Sequence, residues 1–145
     1  MGFADYFQFY LQDETLNSDL GNSWTDEALN NLLVVTPEVV GVGTVRNMTV
    51  PVSINVDAKV HEKDLSQYDK VNECSLELPS GQLVISGGSE YFPDAPRITL
   101  TPGTYRVRVY YKNLDKLSPN GLEGEDEYRV ALWPQTPYAP MVKLR

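Results

Sequence analysis

The side chains best suited to chemistry are few. Nucleophilic catalysis needs a base beside the nucleophile, most often histidine. This sequence has one histidine, His61, and one cysteine, Cys74. His61 sits in a charged run and Cys74 in a strand-like one, so the simpler reading is a loop imidazole and a small core hydrophobe. A structural zinc site needs a closed set of Cys and His ligands, which one of each cannot supply. Glu123, Glu125, Asp126 and Glu127 offer clustered oxygens of the kind calcium takes. The D-x-[DN]-x-[DN]-G spacing is absent, however, and a solvated acidic loop is the plainer account. Any acidic chain offers carboxylate pairs, and only their separation in space would make a glycosidase of them. Gly41-Val42-Gly43 lacks the third glycine and the following helix of a phosphate-binding turn, and reads as a strand with close packing or a bulge. The expectation is a chain with no catalytic set, no metal ligands and no cofactor, hence not an enzyme.

Two loops carry the composition of contact elements instead. Residues 113–126 exceed the usual hairpin length yet keep Leu114, Leu117 and Leu122. Tyr91 and Phe92, with Asp94 after them, place aromatics among acids, as recognition patches do. In both cases the plain alternative is that the apolar side chains tuck the loop onto the domain.

These residues must be positioned by strands. Residues 4–12 alternate, with Tyr6, Gln8 and Tyr10 opposing Phe7, Phe9 and Leu11. Residues 24–32 are the one helix candidate: Ser23 or Thr25 can cap it, and Asp26 and Glu27 suit its first turn. Val34 to Pro37 ends that helix. Strands follow at residues 39–45 and 48–56, where Pro51 favours an edge or a bulge. Residues 70–78 alternate imperfectly, which suggests a bulge near Asn72-Glu73. Pro79-Ser80-Gly81 turns the chain into a strand at 82–86, and residues 97–100 give another. In residues 104–111, Tyr105, Val107, Val109 and Tyr111 share one face, opposite Thr104, Arg106, Arg108 and Tyr110. A last strand is expected near 126–133, then a Pro-rich extended tail over 134–145. Short strands with one small helix define a mainly β fold, an antiparallel β-sandwich or open barrel.

The chain of 145 residues suits a single β domain over 1–145, long enough for a core without staples. With 20 acidic and 12 basic residues its formal charge is −8, which disfavours direct contact with nucleic acid or anionic lipid. The same charge suits a basic protein partner, though solubility alone accounts for it equally well. No signal peptide, membrane span or disulfide framework is visible, so a cytoplasmic location is expected.

Ser23-Trp24-Thr25-Asp26-Glu27-Ala28 follows an aromatic strand holding Tyr6 and Gln8-Phe9. Then come Arg46-Asn47, Val50-Pro51-Val52, Tyr68-Asp69-Lys70-Val71, Leu100-Thr101-Pro102-Gly103-Thr104-Tyr105 and a closing strand around Tyr128. In this order, over most of the chain, they resemble the DNA-entry nuclease inhibitor (competence protein J) family. The chain departs from it in its longer 112–126 loop and in its tail after Trp133. The resemblance implies a small protein that binds and blocks a nuclease, in competence or as an immunity protein against a nuclease toxin. A site built for polyanions attracts carboxylates. The partner contacts expected on that logic are Asp26, Glu27, Glu123, Glu125, Asp126 and Glu127, with Tyr91, Phe92 and Asp94 beside them. Trp24 is expected to anchor the helix. A ligand- or carbohydrate-binding sandwich, stacking sugars on Tyr91, Phe92 or Trp133, is the alternative, and a small carboxylate enzyme ranks behind it.

Overall fold

The structure is a computed structural model that describes residues 8–13, 28, 31–36, 39–43, 52–58, 65–87, 97–115 and 126–144. Its strands are β1 (Gln8–Asp13), β2 (Leu33–Val35), β3 (Val39–Gly43), β4 (Val52–Val56) and β5 (Lys70–Leu78). They continue with β6 (Gln82–Gly87), β7 (Arg97–Thr99), β8 (Gly103–Lys112), β9 (Glu127–Pro134) and β10 (Val142–Lys143). Two five-stranded sheets result, ordered β2-β3-β1-β6-β7 and β10-β5-β8-β9-β4. Their inner faces meet in one core, which makes the molecule a β-sandwich.

Period-two alternation decides what enters that core. The first sheet contributes Phe9, Leu11, Leu33, Val40, Val42 and Leu83. The second contributes Cys74, Leu76, Leu78, Tyr105, Val107, Val109, Tyr111, Tyr128, Val130 and Leu132. Phe9 meets Tyr128 edge-on across the sheets, at 6.4 Å between ring centroids. The expected faces of β8 hold, and so does the alternation of Phe9 and Leu11 on β1.

Several expectations are corrected. Val34 and Val35 do not merely stop a helix; with Leu33 they form β2 and pair with β3. Thr36 ties that hairpin, its hydroxyl accepting from the Val39 amide at 3.0 Å. The bulge expected at Asn72-Glu73 is absent, since β5 pairs with β8 without interruption from Lys70↔Tyr111 to Leu78↔Gly103. The alternation is imperfect because Asn72 faces inward while Val71 joins Tyr68 and Tyr110 on the outer face. Gly41 and Gly43 also sit in regular register, so close packing is the right reading. A Cβ at position 43 would lie 3.2 Å from the Leu32 Cα. The sheets are not wholly antiparallel either: β4 runs parallel to β9, from Val52↔Tyr128 to Val56↔Leu132. It occupies the sheet edge, as expected from Pro51.

Of the helix candidate, Ala28 and Asn31 are helical. Ala28 packs with Tyr10 against Val34 and Val39 on the outer face of the first sheet. Leu32 turns left-handed at φ 56°, and its carbonyl accepts from the Gly43 amide (2.9 Å) and the Tyr111 hydroxyl (2.6 Å). The Asn31 carbonyl accepts from Asn72 Nδ2 at 2.8 Å. Side chains of the second sheet thus satisfy carbonyls that the end of a helix leaves open.

One corner joins the sheets. Gly81 adopts φ 77°, and a Cβ there would collide with the Leu100 carbonyl oxygen. Its carbonyl accepts from the Leu100 amide at 2.7 Å. Asp13, buried at the end of β1, accepts from both the amide and the hydroxyl of Ser80, at 2.9 and 2.8 Å.

Candidate functional site

Only two of the expected contact residues, Asp126 and Glu127, fall among the described residues. Asp26, Glu27, Tyr91, Phe92, Asp94, Glu123 and Glu125 lie outside them, as do His61, Trp24, Leu117 and Leu122. Asp126 immediately precedes β9 and Glu127 opens it, and alternation sends the two opposite ways. Asp126 is fully buried and accepts from the Tyr128 hydroxyl at 2.8 Å. That bond fixes a ring packed edge-on against Tyr111. Glu127 points out, 3.3 Å from Arg129 Nη2.

The end of the second sheet near Glu127 gathers further charge. Asp69 and Asp115 are exposed there. The Asp69 amide bonds the Tyr111 carbonyl at 2.8 Å, and its carboxylate accepts from the Leu114 amide, also at 2.8 Å. Leu114 packs on the core, so the start of the 113–126 loop is tucked in rather than held out. Lys112 stands opposite Glu127 in the β8–β9 register. Lys70, Lys112 and Arg129 lie at the same end of the sheet.

A second constellation escaped the sequence reading. Arg106 and Arg108, on the outer face of β8, are buried. They share Glu73 of β5: Arg106 Nε lies 2.8 Å from Oε2, and Arg108 Nη2 lies 2.8 Å from Oε1. Arg106 also donates to Ser75 Oγ (2.9 Å) and to the carbonyls of Ala139 (2.9 Å) and Pro140 (3.1 Å). Arg108 lies over the Trp133 ring, 5.5 Å from its centroid. Trp133 itself is 4% exposed and donates to Gln135 Oε1 at 2.7 Å, so it offers no open face for sugar stacking. The findable signal was two arginines at i and i+2 on one strand, with a Glu opposite the second of them on its neighbour.

Cys74 is buried in the core, and burial pushes its thiol up to about 12, against the smaller opposing pull of Arg106. It is a packing residue rather than a nucleophile. No three His, Cys, Asp or Glu side chains cluster as metal ligands among the described residues. No helix among them is long and apolar enough to cross a membrane.

Fold and surface together define a two-sheet β-sandwich whose described site features are charged edges and ends. No protein-family profile and no curated protein sequence matches the chain. Two solved structures do. One is ComJ from Bacillus subtilis, the inhibitor of the DNA-degrading activity of NucA: 15% identity, 92% of each chain covered, TM-score 0.67. The other is the product of crocagin biosynthetic gene J: 19% identity, 92% of this chain and 94% of that one covered, TM-score 0.61. At these identities the shared property is the fold, and at that level the likeness to the nuclease-inhibitor family holds.

Proposed function

We propose that this protein binds a nuclease and blocks it, acting as a stoichiometric inhibitor and not as an enzyme. The observation that carries the reading is the likeness to ComJ over nearly the whole of both chains. The formal charge of −8 supports a basic nuclease as the partner, because opposite fields accelerate encounter and occupy a groove built for phosphates. On this reading the protein contacts the enzyme and not the nucleic acid, works in the cytoplasm, and serves competence or immunity. Its contact surface is the acidic set Asp26, Glu27, Glu123, Glu125, Asp126 and Glu127, with Tyr91, Phe92 and Asp94 alongside. Asp126 takes part by positioning Tyr128 and the start of β9, since its carboxylate is buried. Glu127 presents its carboxylate directly.

The test is an inhibition titration against basic DNA-degrading nucleases, beginning with any encoded near this protein's gene. Inhibition at about 1:1 stoichiometry is expected, with affinity falling at least tenfold between 50 and 500 mM salt, as screening removes the charge contribution. Neutralising Asp26, Glu27, Glu123, Glu125 and Glu127 together should weaken inhibition at low salt and flatten that dependence. A nuclease that stays fully active at excess protein in low salt would remove the reading.

A further inference from the structure

We infer that residues 139–144 form an exchangeable strap, and that the slot holding them on β5 and β8 also takes the same segment from a second copy of the chain. The strap crosses the outer face of the second sheet and ends as β10 at its edge. Its hydrogen bonds use its own main-chain atoms. The Ala139 amide donates to Ser75 Oγ at 3.0 Å, and Arg106 grips the Ala139 and Pro140 carbonyls. The Leu144 amide donates to the Val71 carbonyl at 2.8 Å, beyond the pairs Val142↔Glu73 and Lys143↔Asn72. Little apolar surface fastens it. Met141 packs on the core, but Val142 and Leu144 stay 45% and 36% exposed.

The slot, by contrast, is built to hold a main chain. Arg106 is 3% exposed with the strap in place, and strap departure would exchange its two carbonyl acceptors for water. Such a site recruits any extended segment with carbonyls at the right spacing, and an identical segment meets that need by definition. The hinge is exposed from Pro134 to Pro137. Reciprocal exchange across a twofold axis gives a closed dimer. A tethered strap has an effective concentration on the order of millimolar, so exchange belongs to concentrated or freshly folded protein.

Mixed disulfide formation tests this. Val71 and Leu144 stand opposite each other, and directly opposed antiparallel residues, about 5.5 Å apart at Cα, lie within disulfide range. One full-length preparation carries Val71→Cys and the other Leu144→Cys. They are unfolded together, refolded at about 1 mM, and then oxidised. Cys74, buried with its thiol held up near 12, stays out of the reaction. A 71–144 cross-linked heterodimer is expected. Absence of the mixed species overturns the inference. A second measurement needs no cysteine variant. Wild type refolded at about 1 mM should sediment partly as a dimer that returns to monomer over hours after dilution; a purely monomeric preparation likewise overturns it.

Discussion

Glu73 is the residue on which the outer face of the second sheet turns. Its side chain is 15% exposed, and it neutralises Arg106 and Arg108, which are 4% and 11% exposed. Charges taken so far out of water persist only when paired, and removing one partner costs more than the pair itself contributes. Glu73→Ala should therefore destabilise the fold by about 3 kcal/mol, while Glu77→Ala on the same strand, exposed, should change stability by less than about 0.5 kcal/mol. Urea unfolding of both variants checks the contrast. An equal, small loss in both would mean that the arginines find acceptors elsewhere. This constellation was only half legible in the sequence. Alternation put both arginines on one face of β8 but could not tell that the face is covered, because the strap that covers it comes from residues distant in the chain. Asp126 shows the same limit: its place beside Glu127 was plain, yet whether its carboxylate meets solvent or the Tyr128 hydroxyl depends on strand phase.

At the scale of elements, β8 has neighbours on both sides and buried side chains on both faces from Tyr105 to Tyr111. β10 is two residues long and sits at the edge. Amide exchange in native conditions should accordingly rank β8 slowest and the Leu144 amide among the fast sites, apart by several orders of magnitude. Equal protection at Leu144 and Val107 would show the strap to be part of the cooperative core. The strands legible in advance were those with clean alternation: β5 and β8 were located to within a residue or two. The misreadings share a cause. β2 is three residues long and lies next to a helical segment, too short for periodicity to speak. The parallel partner of β4 is chosen by tertiary packing, about which local spacing is silent. The bulge expected in β5 was a polar residue turned inward, Asn72, whose amide holds the Asn31 carbonyl.

For the molecule as a whole, the sandwich interior sets an alkaline limit. Burial raises the Cys74 thiol from 9.0 to about 12 and pushes the Tyr111 hydroxyl above the ordinary tyrosine range. Both groups stay neutral in the folded state while the unfolded chain releases their protons. Stability is thus full below the unfolded thiol value and declines as pH rises from about 9 towards 12, by up to about 1.4 kcal/mol per pH unit for each group. Melting temperature should fall steeply over that window, and Cys74→Ala, although costing packing at neutral pH, should make the decline shallower. A melting temperature level from pH 9 to 11 would contradict this account.

The parallel pairing of β4 with β9 has a consequence for how the protein is made. During synthesis, residues 52–56 emerge long before their native partner, Tyr128 to Leu132, exists. Until β9 arrives, a five-residue segment rich in Val and Ile waits with open amides, the condition in which chains find wrong partners. Slowing translation between the two strands should therefore lower the soluble yield more than slowing it elsewhere.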